Sequence, residues 1–228
     1  MKKGCEDLIC ESYYKELDSK NKYKYYPGKF CYAPIFYTSN NHKVLEPVNI
    51  DPINSEKSTF KIINYADNLR SHPPIKELDL KSDEFYFLAK GKYRMVVIIG
   101  SIFLSEKNPF TSYNKEEDIY ICLPVFTVKE HHSQKFIIDI QAFQYPNLFY
   151  LPPAVHYKEE SFIRFELIQP VNKGCLRPCG NQFEISDEAY IYLTNHLGVF
   201  LNYKYIDKDI CGLINIYSTE LLERYSNN

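Results

Sequence analysis

From Glu84 to Ile168 the chain is a succession of short blocks rich in β-branched and aromatic residues: Glu84 to Ala89, Arg94 to Ile102, Asp118 to Thr127, Phe136 to Phe143, Phe149 to Leu151 and Ser161 to Ile168. Pro, Asn and Gly separate them, so the pattern predicts consecutive strands folded into a small barrel or sandwich. One block constrains the fold most. In "KGKYRMVVIIGS", Lys90 to Ser101, Val96 to Ile99 form an unbroken β-branched run, which suits a strand covered on both faces. An unpaired charge inside such a strand would be costly. Lys90, Lys92 and Arg94 therefore mark its edge, where they are solvated or face an anion.

After the strands the period changes. "SDEAYIYLTNHLGVFL", Ser186 to Leu201, has a serine at the N-cap, two acids in the first turn and apolar residues at helical spacing, an amphipathic helix able to plug one side of the sheet. Asp207 to Tyr225 is expected to be partly helical, with "STELLERY" opening at a second cap. Upstream, Glu6 to Leu17 is a candidate helix, Tyr26 to Thr38 a strand behind a Pro-Gly turn, and Thr59 to Asn64 a further strand. Pro73-Pro74 forbids helix locally and sets an extended path into Ile75 to Leu80. The expected organisation is an extension over 1–79 wrapping the core, a core over 80–201, and a helical tail over 202–228. The class is mainly β with α (α+β).

Bulk properties exclude more than they identify. With 27 Lys and Arg against 29 Asp and Glu among 228 residues, the net charge is −2; the chain is no polycation, and any anion site must be a local patch. No apolar stretch approaches the roughly 20 residues that span a bilayer. The start, MKKGCEDLIC, carries acids where a leader needs an apolar run, so a soluble cytoplasmic protein with reduced thiols is expected. Cys175 and Cys179 sit in a Gly-Pro-rich turn, and even with Cys122 or Cys211 nearby they lack a second matched ligand pair at finger spacing. No metal is expected there. Nucleotide loops, dinucleotide glycine patterns and nucleophile elbows are absent as well, so no cofactor is expected.

The order of the segments resembles the MazF/PemK/Kid toxins, cytosolic endoribonucleases of toxin–antitoxin pairs built on an SH3-like barrel. "DEFYFLAK" and "RMVVIIGS" stand where that family has its first two strands, with Met95 in place of the usual proline. "ICLPVFT" from Ile121 matches its third strand, "RFELIQPVNKGCL" from Arg164 its fourth, and "ISDEAYIYL" its helix. The likeness covers roughly residues 80 to 201. It implies an SH3-like barrel with a C-terminal amphipathic helix and an extended N-terminal segment, cleavage of single-stranded RNA, and a homodimer as one option.

RNA cleavage by its own 2′-hydroxyl needs a base, an acid and a cation beside the phosphate. The resemblance assigns the cation to Arg94 and a positioning hydroxyl to Thr127; Lys90 and Lys92, at the same strand mouth, and His72, just before the double proline, are candidate substrate contacts by their positions in the sequence. His131 and His132 follow Thr127 closely; like His72 they are candidates to reach the pocket as proton carriers, and the simpler reading of each is an exposed loop histidine. Glu166 is read first as a structural ion-pair partner and second as a base; His156 and His196 are read as turn and helix residues. Two positions depart from the family: Gln169 and Asn172 replace a charged arginine and aspartate, and neutral amides carry no proton at neutral pH. The alternative is therefore a catalytically inactive regulatory protein on the same fold, binding an antitoxin, a transcription or sigma factor, or an antiviral defence component.

Overall fold

The computed structural model describes residues 12–37, 43–51, 54–64, 80–81, 84–107, 114–154, 158–180, 183–203 and 207–226. They form an α+β fold with strands in antiparallel sheets. The strands are β1 (Tyr14–Glu16), β2 (Phe30–Tyr37), β3 (Lys43–Asn49), β4 (Thr59–Asn64), β5 (Tyr86–Leu88), β6 (Lys90–Lys107), β7 (Asn114–Thr127), β8 (Leu148–Leu151), β9 (Ser161–Arg164), β10 (Gln169–Asn172), β11 (Arg177–Pro178) and β12 (Phe183–Ile185). The α-helices are α1 (Gln134–Gln141), α2 (Asp187–Phe200) and α3 (Lys208–Ser226).

Two compact units share the chain: residues 1–35 with 93–228, and residues 36–92. The smaller carries a three-stranded sheet in the order β4-β3-β5. The larger is built on a sheet ordered β11-β2-β6-β7-β9-β8, with β10 also paired to β7, beside the two-stranded β1-β12 sheet. Among the described pairings none joins β11 to β8, so the sheet is not closed into the barrel that the resemblance implies.

The apolar run behaves as its sequence demands. Val96, Val97 and Ile98 are fully buried, and alternation sends them to two different cores. Val97 packs with Leu123, Phe149 and Ile163; Val96 and Ile98 pack with Cys31, Ala33, Ile35 and Cys122. Each such side chain contributes about 1.5–3 kcal/mol of burial. Gly28, at φ 87°, brings the Pro-Gly turn against this strand: its N–H donates to the Ile98 carbonyl at 2.8 Å and its carbonyl accepts from Ile185 at 3.0 Å. A side chain there would be strained.

Several local expectations are corrected. Phe136 to Phe143 is not a strand; α1 occupies it, because Ser133 accepts the Phe136 N–H as N-cap at 3.2 Å and Lys135 pairs with Asp139 one turn on at 2.7 Å. The last part of Ser161 to Ile168 is a 3-10 turn, Phe165–Leu167, after β9. Within Ser12 to Leu17, the described part of the expected N-terminal helix, Tyr14–Glu16 is strand, paired with β12. "STELLERY" opens no new helix: Ser218 is a buried residue inside α3, where its hydroxyl accepts from Gln144 Nε2 at 2.7 Å, and α3 starts behind Asp207, whose carboxylate accepts from the Asp209 and Ile210 N–H groups. The strand over Thr59 to Asn64 and the Ser186-capped helix form as expected. Among the described residues no helix is long and apolar enough to cross a membrane.

Candidate functional site

Register builds the site. Tyr150 on β8 lies opposite Phe162 on β9, and Phe162 lies opposite Phe126 on β7. The β6–β7 ladder pairs Val96 with Pro124, and two residues further out the same register brings Arg94 beside Phe126. Directly opposed residues share a face, so Tyr150, Phe162, Phe126 and Arg94 form one row across four strands.

The Arg94 guanidinium lies 4.3 Å from the centre of the Phe126 ring, within the range of an attractive cation–π contact. Arg164 approaches the same ring at 5.2 Å. Its charge is met by Glu166, whose Oε1 accepts from Arg164 Nε at 2.7 Å and from Nη2 at 2.5 Å, while Oε2 accepts from Asn147 at 3.2 Å. Glu166 is thus the ion-pair partner that the sequence suggested first. Phe126 and Phe162 stack with centroids 5.9 Å apart and planes 19° apart, and Phe136 of α1 meets Phe162 edge-on.

The turn after β7 adds the histidines. His132 packs on Phe136 at 4.9 Å and on Phe162 at 5.9 Å, and His131 lies 4.4 Å from it. His132 Nδ1 accepts the Lys129 N–H at 2.9 Å, which leaves the proton of the neutral ring on Nε2. Burial first, and then the neighbouring His131, push the His132 pKa down.

One step along the same face stands Glu160. The Val128 N–H donates to the Glu160 carbonyl at 2.8 Å, continuing the β7–β9 ladder. Glu160 Oε1 accepts the Tyr150 hydroxyl at 2.5 Å and Gln141 Nε2 at 3.1 Å. Tyr150 is only 3% exposed, so this carboxylate is fixed from below. It borders a cleft of 710 Å³ lined by Val128, Lys129, Glu130, His131, Glu159 and Glu160. The cleft brings an oriented carboxylate and a histidine together, while Arg94 and Arg164 lie at Phe126 further along the same sheet face.

The residues picked from sequence are distributed unevenly. Arg94 is on the face just described. Thr127 closes β7 opposite Ser161, and alternation directs it to the other side of the sheet from Phe126. Lys90 and Lys92 are exposed and belong to the smaller unit; His72 and His156 lie outside the described residues. Gln169 Nε2 donates to the Leu167 carbonyl at 3.4 Å. Asn172 accepts the Gly174 N–H at 2.9 Å and caps the turn Lys173–Cys175. His196 is a core histidine, its Nε2 3.2 and 3.1 Å from the Tyr145 and Leu148 carbonyls. Among the described residues no three His, Cys, Asp or Glu side chains gather as metal ligands. Sequence reasoning missed Arg164 as a second cation and the Gln141–Tyr150–Glu160 set. No protein family, no curated protein and no solved structure matches the chain.

Proposed function

We propose that the protein is a MazF-like endoribonuclease that cleaves single-stranded RNA, a cytoplasmic toxin acting without metal or cofactor. The observation that supports this most is the placement of Arg94 on a sheet face that also carries a carboxylate and a histidine. A planar guanidinium can hold two phosphate oxygens at once, and the ring beneath it restricts where it points. For Thr127, whose side chain leaves the sheet on the opposite face, the support is the resemblance alone.

The test is an RNA-integrity assay on total RNA and on unstructured oligoribonucleotides in the presence of a chelator. Wild type is expected to cut. Arg94→Ala is expected to lose on the order of 10²–10³ in rate, as when one charge-stabilising donor is removed, and Arg94→Lys to recover only part of it. Intact RNA with wild type would sink the reading.

A second reading has its own observation. Gln169 and Asn172, standing where the resemblance expects charged groups, are engaged with backbone, which suits an inactive regulator that binds an antitoxin or another macromolecule. Stable co-purification of a partner with an inert wild-type protein would favour it.

A further inference from the structure

The geometry points to Glu160 as the general base of this site and His131 as its general acid, an assignment that rests on the ribonuclease reading above. Neither role follows from the order of the strands. Three features carry it. First, Oε1 of Glu160 is occupied by two neutral donors, the Tyr150 hydroxyl at 2.5 Å and Gln141 Nε2 at 3.1 Å, and Oε2 takes no hydrogen bond from the described residues. One oxygen orients the group and the other is left to take a proton. Second, no described ion pair includes Glu160, in contrast to Glu166 with Arg164 and Asp118 with Lys173. A carboxylate held on one oxygen by a buried tyrosine, with no ion-pair partner among the described residues, is oriented and keeps its second oxygen for a substrate. Third, His131 is exposed and lines the same 710 Å³ cleft as Glu160. Its neighbour His132 closes the turn, through its own N–H to the Lys129 carbonyl at 2.9 Å and its ring Nδ1 to the Lys129 N–H.

The substrate this set fits is a ribonucleotide phosphodiester. Glu160 removes the 2′-hydroxyl proton as the 2′-oxygen bonds to phosphorus. The bond from phosphorus to the 5′-oxygen breaks, and that oxygen takes a proton from the His131 imidazolium. The products are a 2′,3′-cyclic phosphate and a 5′-hydroxyl. No water, metal or oxidant is consumed, and solvent returns both side chains to their starting protonation. Arg94 and Glu160 lie two strands and one register step apart, roughly 12 Å between backbones at ordinary sheet spacing, a span that a long arginine and a nucleotide can bridge together. Tyr150 and Gln141 are positioning residues.

The experiment measures cleavage of unstructured oligoribonucleotides in chelator across pH, with end-group analysis, for wild type, Glu160→Gln and His131→Gln. Gln at 160 keeps size and can still accept from Tyr150, so the fold is retained, and a thermal melt verifies this. Expected are cyclic-phosphate products, a bell-shaped wild-type profile, loss of the acid limb with a rate decrease on the order of 10²–10⁴ in Glu160→Gln, and loss of the alkaline limb in His131→Gln. RNA affinity should be nearly unchanged in both. A Glu160→Gln protein that cuts within threefold of wild type with the same profile would overturn the assignment and leave the ribonuclease reading standing. A wild type that leaves RNA intact would end both. Products with 5′-phosphate ends would also overturn the assignment.

Discussion

The larger unit contains two tyrosine–glutamate pairs made from the same hydrogen bond and set in opposite electrostatic surroundings. In one, Tyr26 donates to Glu184, which is 7% exposed and has Lys15 3.4 Å away; Lys15 also reaches Asp187 at 2.6 Å. Burial, and then the bond to Glu184, push the Tyr26 pKa up, keeping the phenol a donor. In the other, Tyr150 donates to Glu160 with Gln141 beside it, no described cation pairs with it, and a cleft lies in front. The first carboxylate is buried and balanced by an ammonium; the second is met, among the described residues, only by neutral dipoles, at the border of the cleft. The counter-charge, not the tyrosine bond, is what differs between the two pairs, and under the assignment proposed above it is what separates a structural pair from a reactive one.

Exchanging charge for amide at each pair is the most direct way to break this distinction. Glu160→Gln should cost on the order of 10²–10⁴ in cleavage rate and little in melting temperature. Glu184→Gln should do the reverse: unchanged cleavage at a temperature where the protein is folded, with about 1.5–3 kcal/mol lost through the charge-assisted bonds, read by denaturant titration. If both variants lose activity and stability together, the two pairs are not different in kind.

Removing the phenol hydroxyls is a finer probe. Tyr26→Phe leaves a buried carboxylate oxygen short of a donor and should cost about 1–2 kcal/mol of stability. Tyr150→Phe should leave KM nearly constant and lower kcat, because a carboxylate free to rotate is misplaced for proton transfer but still accessible to substrate. An unchanged kcat in Tyr150→Phe would show that Gln141 alone is enough to orient Glu160.

What the sequence makes legible here follows from locality. The run Val96 to Ile99 signals a two-sided strand because composition and period agree, and Ser186 signals a helix because cap, acids and spacing lie within a few residues. Phe136 to Phe143 misleads because its isoleucines suit either state, although Ser133 and the Lys135–Asp139 spacing were there to decide it. Arg94 is visible as a charge beside a buried run. Glu160 is not, because "KEESF" reads as an ordinary charged turn until β8 and α1 bring Tyr150 and Gln141 to it. Thr127 is correctly placed at a strand end, yet its face is a matter of register with Ser161. Lys29 is equally hidden: it is buried, and its ammonium donates to the carbonyls of Asn21, Lys22 and Lys24, backbone partners that no side-chain pattern announces.

Acid titration sharpens the comparison last, because it can mimic the loss of a catalytic carboxylate. His196 is 5% exposed, and burial pushes its pKa down despite the opposing bonds to the Tyr145 and Leu148 carbonyls; His132 is shifted the same way. The folded state therefore binds a proton less readily than the unfolded chain, whose histidines titrate near about 6.5. The stability these neutral rings contribute is fully present above that pH and declines as the pH falls through it toward their folded pKa values. Melting temperature should fall between about pH 7 and pH 5 in wild type, and less steeply in His196→Gln, where the amide can still donate to one carbonyl. If the acid limb of cleavage stays in place in His196→Gln while the melting curve flattens, the limb belongs to the cleft carboxylate. If the two move together, the limb reports unfolding, and the contrast between the two glutamates loses its kinetic support.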